Sequence, residues 1–266
     1  MNTEDLKRAF GEEPIFYLKF VSEEDYAKDI LSGKLYANTP EYFRNKEIET
    51  RKRGQGDKNE LKYTMPLIDL KFYDSDTKEL QFEISKASGV VQYHGDDNTP
   101  MVCFVGIPMY QMKILDEDDD GIIIGFPFSE TEYATMEEQF GRYCVLLSGY
   151  ALLESFSELN SKVGWNFRKI QYVASNYLKK AESYFNPTID RYFYKDDDLK
   201  YQREYRLILA CEMPEDHYIK IKPFCTEHGR AKEACYFDSS ILRNMRLYVN
   251  KQVFDCNSKK ESTYGQ

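Results

Sequence analysis

The stretch KDDDLKYQREYRLILA, residues 195–210, holds the side chains best suited to chemistry in this chain. Read with strict strand alternation, Gln202, Glu204 and Arg206 share one face, and Tyr201, Arg203, Tyr205 and Leu207 share the other. An amide, a carboxylate and a guanidinium in a row form either a polar site or an ordinary ion pair. In the second case Glu204 is held by Arg206, Arg44 or Lys19. A third reading joins Glu204 to Asp57 and Glu60 as the carboxylates of a metal-dependent nuclease.

Other chemistries find less to work with. No G-x-S-x-G elbow is present, and His94, His217 and His228 are the only histidines a Ser or Cys triad could use as base. Neither a phosphate-binding G-x-x-x-x-G-K-[ST] loop nor a dinucleotide-binding G-x-G-x-x-G occurs. Cys225, His228 and Cys235, with Cys211 or His217 as a fourth ligand, have zinc-compatible chemistry but supply one close ligand pair where structural sites use two. Half-buried thiols and a surface histidine are the expected reading, and no metal is expected. Asp116, Asp118 and Asp120 alternate as calcium ligands would but lack the glycine and distal glutamate of an EF-hand, so they read as a solvated turn.

The elements that must position these residues start with a strand, EPIFYLKFVS, with Lys19 embedded in it. A helix follows, capped by Ser22, burying Ala27, Ile30 and Leu31 and stopped at Gly33. KLYAN is the next strand, and Thr39-Pro40 opens a short helix. The segment KEIETRKRGQGDKNE, 46–60, reads as a charged loop. YTMPLIDLKFYD and LQFEISKA pair through DSDTKE, while VVQYH and MVCFVGIPM extend the β region. Helical patterns then alternate with strands. QREYRLILAC and HYIKIKPF are expected to pair antiparallel, and FDSSILRNMRLYVN adds a short helix and a last strand.

With 266 residues, no internal repeat and no Pro/Gly/Ser-rich linker, the chain predicts one mixed α+β domain over 1–256. A largely antiparallel central sheet with flanking helices is expected, and a flexible tail from 257 to 266. The aromatic share is high, 22 Tyr and 17 Phe, which suits pocket walls as well as core. A net charge of −9 argues against binding duplex DNA through its backbone. The one concentrated positive segment, with Arg44, Arg51 and Arg53, fits a small anionic ligand or a protein partner. No leader pattern and no long apolar run is present, which predicts a cytoplasmic protein with reduced cysteines and no membrane partner.

The Q-x-E of YQREYRL resembles the catalytic element of mono-ADP-ribosyltransferases. That resemblance implies that Glu204 stabilises the oxocarbenium-like state of a breaking nicotinamide–ribose bond, that Gln202 positions the acceptor, and that NAD is the substrate. The opening FYLKFVSEEDYAKDILSGKLYANTPEYFR resembles the start of such folds, in which a first-strand Arg or His contacts NAD. That position falls here on Tyr17 or Lys19, and a lysine meets a phosphate as a point charge without arginine's planar fork. Three stretches, ILSGKLYANTPEYFR, RGQGDKNE and YQREYRLIL, resemble an uncharacterised group of bacterial and phage-associated proteins. This implies a single integrated fold in which Arg53, Gly54, Asp57 and Glu60 form one functional loop with Arg44.

The leading expectation is an NAD-using transferase or glycohydrolase, such as a toxin or anti-phage effector. Glu204 and Gln202 would be catalytic, and Tyr17, Lys19, Arg44, Arg53 and Arg206 would hold the cofactor. The alternative is a non-catalytic sensor of a phage or nucleotide ligand, or a module binding an acidic protein.

Overall fold

A helix that the sequence reading passes over begins the chain. Asn2 accepts from the amide of Asp5 while the Asp5 carboxylate accepts from the amide of Asn2, a reciprocal cap that starts α1 (Thr3–Phe10). The computed structural model describes residues 1–159, 163–174, 177–224 and 233–252. After α1 come β1 (Pro14–Val21), α2 (Glu24–Leu31), β2 (Lys34–Tyr36) and α3 (Pro40–Thr50). The long hairpin β3 (Tyr63–Tyr73) and β4 (Leu80–Val91) follows, then β5 (Met101–Pro108), β6 (Lys113–Glu117) and β7 (Gly121–Gly125). The chain continues through α4 (Glu130–Phe140), β8 (Tyr143–Ser148), α5 (Gly149–Ser155), β9 (Trp165–Lys169), β10 (Gln171–Val173) and α6 (Leu178–Phe185). It closes with β11 (Tyr194–Asp196), β12 (Glu204–Leu209), β13 (Tyr218–Lys220), β14 (Ala234–Asp238), α7 (Ser239–Asn244) and β15 (Arg246–Asn250).

The fold is α+β, built on a six-stranded antiparallel sheet in the order β14-β8-β1-β5-β12-β9. One face carries Tyr17, Val102, Phe104, Val145, Leu147, Tyr205, Leu207 and Leu209, covered by Ala27, Ile30 and Leu31 of α2 and Leu152 of α5. The opposite face is divided. Under β1 and β8 it is apolar, with Leu18, Phe20 and Cys144 against Leu6 of α1, Ile122 and Ile124 of β7, and Met136 of α4. Under β5 and β12 it turns polar, because Glu204 and Arg206 project there. Each fully buried aliphatic side chain contributes about 1.5–3 kcal/mol, so both layers are strongly held.

Several expectations are corrected. Glu23, not Ser22, is the N-cap residue of α2, and its side chain makes no cap hydrogen bond. Gly33 does end that turn, in left-handed conformation (φ +86°), and a Cβ there would lie 2.4 Å from the Ile221 carbonyl oxygen. The helix begun at Thr39-Pro40 runs on to Thr50 and ends at left-handed Arg51, so the first third of the expected charged loop is helical. Val90 and Val91 end β4 instead of starting a separate strand. β12 does not pair with β13: it lies between β5 and β9, while β13 pairs with β2. All six residues of β12 are buried, which a central strand provides and a two-stranded edge ribbon would not. The tail 257–266, and Cys225 and His228 of the zinc reading, lie outside the described residues.

Candidate functional site

The central sheet comes apart at one place. The ladder between β1 and β5 stops at Leu18–Val105. Beyond it β1 continues with β8 as far as Val21, and β5 continues with β12 as far as Met101. Two strands that leave each other expose facing backbone edges, and a cavity of about 420 Å³ opens there. Residues 18–22 and 101–105 line it from the two strands. Lys19 reaches across the gap to donate to the Cys103 carbonyl at 2.7 Å. Its ammonium also lies 5.6 Å from the centre of the Phe104 ring, and burial lowers its pKa.

On one side the cavity is walled by Tyr26 and Ile30 of α2, Tyr36 of β2, Tyr42 and Phe43 of α3, and Tyr218 of β13. Tyr26, Tyr36 and Tyr42 remain 40–49% exposed, so three phenol rings stand at the mouth. His217, weighed above as a zinc ligand, instead stacks on Tyr36 with ring centres 5.5 Å apart. On the other side lie Gly54–Gln55–Gly56–Asp57 and the polar floor of Lys195, Gln202 and Glu204.

Sequence reading brings Gln202 and Glu204 together by strand alternation; the structure does so by another route. Gln202 ends a 3-10 helix (Asp197–Gln202), and Arg203, left-handed at φ 45°, turns the chain before β12 begins. That turn folds Lys195 of β11 back over the strand. Its ammonium donates to Glu204 Oε2 at 2.6 Å and to Gln202 Oε1 at 3.1 Å. Gln202 in turn donates to the Gly54 carbonyl at 2.8 Å, tying the floor to the glycine loop.

Behind the floor Arg206 is fully buried. It donates to Glu204 Oε1 at 2.9 Å, to both oxygens of Glu60 at 2.7 and 3.1 Å, and to the Tyr192 carbonyl at 2.7 Å. Two cations thus face two carboxylates. Burial would push the Glu204 carboxyl up, but Arg206 and Lys195 outweigh it and hold Glu204 well below the ordinary carboxylate range. Burial would lower Lys195, and Glu204 and Glu60 reverse that and raise it. Asp57 is the less well compensated charge, with only Arg53, at 3.5 Å, as a cationic partner among the described residues. Burial, and then the nearby Glu60, push its carboxyl up to about 6. Cys103 is pushed up to about 12 by burial and by the nearby Glu204 carboxylate, so it stays a neutral thiol and no thiolate nucleophile.

The expected cofactor contacts separate accordingly. Of Tyr17, Lys19, Arg44, Arg53 and Arg206, only Lys19 lines the cavity. Tyr17 packs edge-on against Tyr205 and beside Phe167 in the core. Arg44 is buried, bound to Asp97 at 2.5 Å and to the Glu60 carbonyl at 3.0 Å. Arg53 is held by Asp196 and Asp198, with Asp57 and Glu47 each 3.5 Å away. The segment that reads as a basic anion site therefore commits two of its arginines to internal partners, Arg44 to Asp97 and the Glu60 carbonyl and Arg53 to the carboxylates around the glycine loop. Among the described residues no group of three His, Cys, Asp or Glu is arranged to hold a metal ion; Glu60, offered as a nuclease carboxylate, is clamped by Arg206. Lys195 opens the stretch singled out above, beside three aspartates, but no role is read for it there. The tyrosine rim leaves only the high Tyr content as a signal.

Such a site can bind a ring between aromatic walls, and its lining holds one ionised carboxylate, Glu204, and one pushed up to about 6, Asp57. Among the described residues no helix is long and apolar enough to cross a membrane. Comparison of the chain with protein-family models, with curated proteins and with solved structures returns no match.

Proposed function

We propose that the cleft binds a ring-bearing nucleotide of the NAD type and cleaves its N-glycosidic bond, with Glu204 as the carboxylate beside the reacting carbon. The observation that carries this reading is the position of Glu204. It stands ionised on the floor of an apolar-walled cavity, at the place where the central sheet divides. A fixed anion in a water-poor site stabilises positive charge developing on a ribose ring. On β5 the Met101 backbone is bridged to Asn38 and the Cys103 carbonyl takes Lys19, so a planar carboxamide would pair chiefly with the β1 edge past Leu18. Tyr26, Tyr36 and Tyr42 suit a second ring at the mouth. Asp57, half protonated near pH 6, would exchange the proton that water or an acceptor hydroxyl must lose. Consumption of NAD, or modification of a target with it, is the output a toxin or anti-phage effector would need.

One observation favours a second reading. Both Glu204 oxygens already have cationic partners, so the carboxylate would be architecture and the cleft a non-catalytic binding site. Incubation with NAD while following nicotinamide release, with calorimetry for binding, separates the two. Release by the wild type, lost in a Glu204→Gln that circular dichroism shows still folded and reduced at least tenfold in a folded Asp57→Asn, supports cleavage. Binding without release under any condition leaves the second reading, and neither binding nor release removes NAD as the ligand.

A further inference from the structure

The β3–β4 hairpin is 11 and 12 residues long in its two strands and pairs with no other strand among the described residues. An isolated two-stranded ribbon is marginal in water unless something covers an apolar face. Its base is covered on one face only, where Tyr63 packs against Tyr184 and Phe185 of α6. Register and alternation sort the remainder. The pairs from Tyr63↔Val91 to Phe72↔Phe82 keep a constant offset across an unpaired, left-handed Asp69 (φ 51°), so the paired even-numbered residues of both strands share a face. Between the base and the bulge at Phe72/Tyr73 the odd face carries Lys71, Glu83 and Ser85, and Lys71 meets Glu83 at 3.3 Å; beyond the bulge the Tyr73–Leu80 pair is exposed. On the even face Ile68, Phe72, Phe82, Ile84 and Val90 are exposed, Ile68 and Val90 more than 60%, with Leu70 half-buried among them. Phe72 and Phe82 stack across it with ring centres 4.3 Å apart.

We infer that this face is covered by the same face of a second copy of the chain, the two arms lying antiparallel about a two-fold axis near the Leu70–Ile84 pair. Charge selects both the partner and the direction. Lys86 is the only charged residue of the even face within the strands, and the tip carries Asp74, Asp76 and Glu79 against Lys78. Hydrogen bonds from the Thr77 and Asp76 amides lower the Asp74 pKa, so it stays charged. Antiparallel arms bring Lys86 over the partner's Phe72–Phe82 stack and toward its acidic tip, and the symmetric contact is made twice. Arms pointing the same way would oppose Lys86 to its own copy and tip to tip. A rise of ~3.4 Å per residue makes the face about 27 Å long from Thr64 to Phe72 and two strands wide. That is less than the ~800 Å² per partner of a standard interface, so the association is concentration-dependent.

Sedimentation velocity of the intact chain over a wide concentration range tests this, beside Ile68→Glu. Ile68 lies opposite Lys86 in the same hairpin, so the new carboxylate gains a cross-strand partner and the arm keeps its fold, while a charge enters the apolar face. A reversible monomer–dimer equilibrium weakened at least tenfold by Ile68→Glu, with the melting temperature of the dilute protein unchanged, is expected. A monomer at every concentration, or a dimer that Ile68→Glu leaves intact, overturns the inference.

Discussion

Asp57 and Glu204 are two carboxylates whose surroundings drive them in opposite directions, and each predicts a different pH dependence. Asp57 has its folded pKa raised to about 6 by burial and Glu60. The unfolded chain therefore loses this proton first as pH rises, and stability falls between about pH 4 and 6. Replacing Asp57 with Asn removes the surplus buried charge, and its side-chain oxygen can still accept from the Asn59 amide, now 3.0 Å from Asp57 Oδ1. Thermal unfolding at pH 7–8 should show Asp57→Asn more stable by about 2 kcal/mol, the two proteins converging toward pH 4. A variant no more stable than wild type at pH 8 would mean that Asp57 is already well paired. Glu204 has the opposite sign. Its folded pKa is depressed, so its contribution is complete at neutral pH and disappears only in acid, below the ordinary carboxylate range. Glu204→Gln leaves Lys195 and Arg206 with one anion fewer and should cost about 3–5 kcal/mol, measured by denaturant unfolding at pH 7. Pairing it with Lys195→Met should restore part of that loss, because the surplus cation is then gone.

At the scale of elements, the site exists because β1 and β5 are each claimed by a different outer neighbour past Leu18 and Val105. Lys19 fits this arrangement: a lysine inside a central strand is costly, and here its ammonium meets a carbonyl in the gap. Polar anchors fix the glycine loop. Gln202 binds Gly54, Gln139 binds the Arg53 carbonyl, and Arg53 bridges to Asp196 and Asp198. Arg53→Ala should therefore loosen the cleft: ligand affinity falls while the melting temperature changes little, and an unchanged affinity would mean that the loop is held without it. Gly33 controls the opposite wall. Gly33→Ala places a Cβ against the Ile221 backbone at positive φ, and should lower stability by about 1–3 kcal/mol in thermal unfolding.

For the whole molecule, the six-stranded sheet with its two layers and the β3–β4 arm differ in how they are held. β5 and β12 are interior strands buried on both faces, whereas the arm beyond Leu67 rests on its own ladder. Hydrogen exchange by mass spectrometry at low protein concentration should show amides of 68–86 exchanging far faster than those of 101–108 and 204–209. Equal protection of the arm in the dilute protein would require a cover within the same chain. In concentrated protein the arm should gain protection if copies pair through it, while the sheet strands remain unchanged.

The sequence by itself determined the elements whose cause is local. The turn at Gly33, the cap at Thr39-Pro40, the β3–β4 hairpin around DSDTKE and the α+β class all follow from short-range chemistry and periodicity. It also singled out Gln202, Glu204 and Lys19, since a charged or amide group inside an apolar strand must find a partner wherever the strand lies. Pairing was decided only by the tertiary structure. Alternation cannot say that β12 sits between β5 and β9, that Arg203 breaks the strand ahead of Glu204, or that Lys195 folds back onto it. The same limit governed charge: six basic residues in 44–58 read as an exposed anion site, yet Arg44 and Arg53 have their partners at Asp97, Asp196 and Asp198, more than 50 positions away. A cavity is a relation between strands that diverge, and the ladder ends that make it belong to no single stretch of the chain.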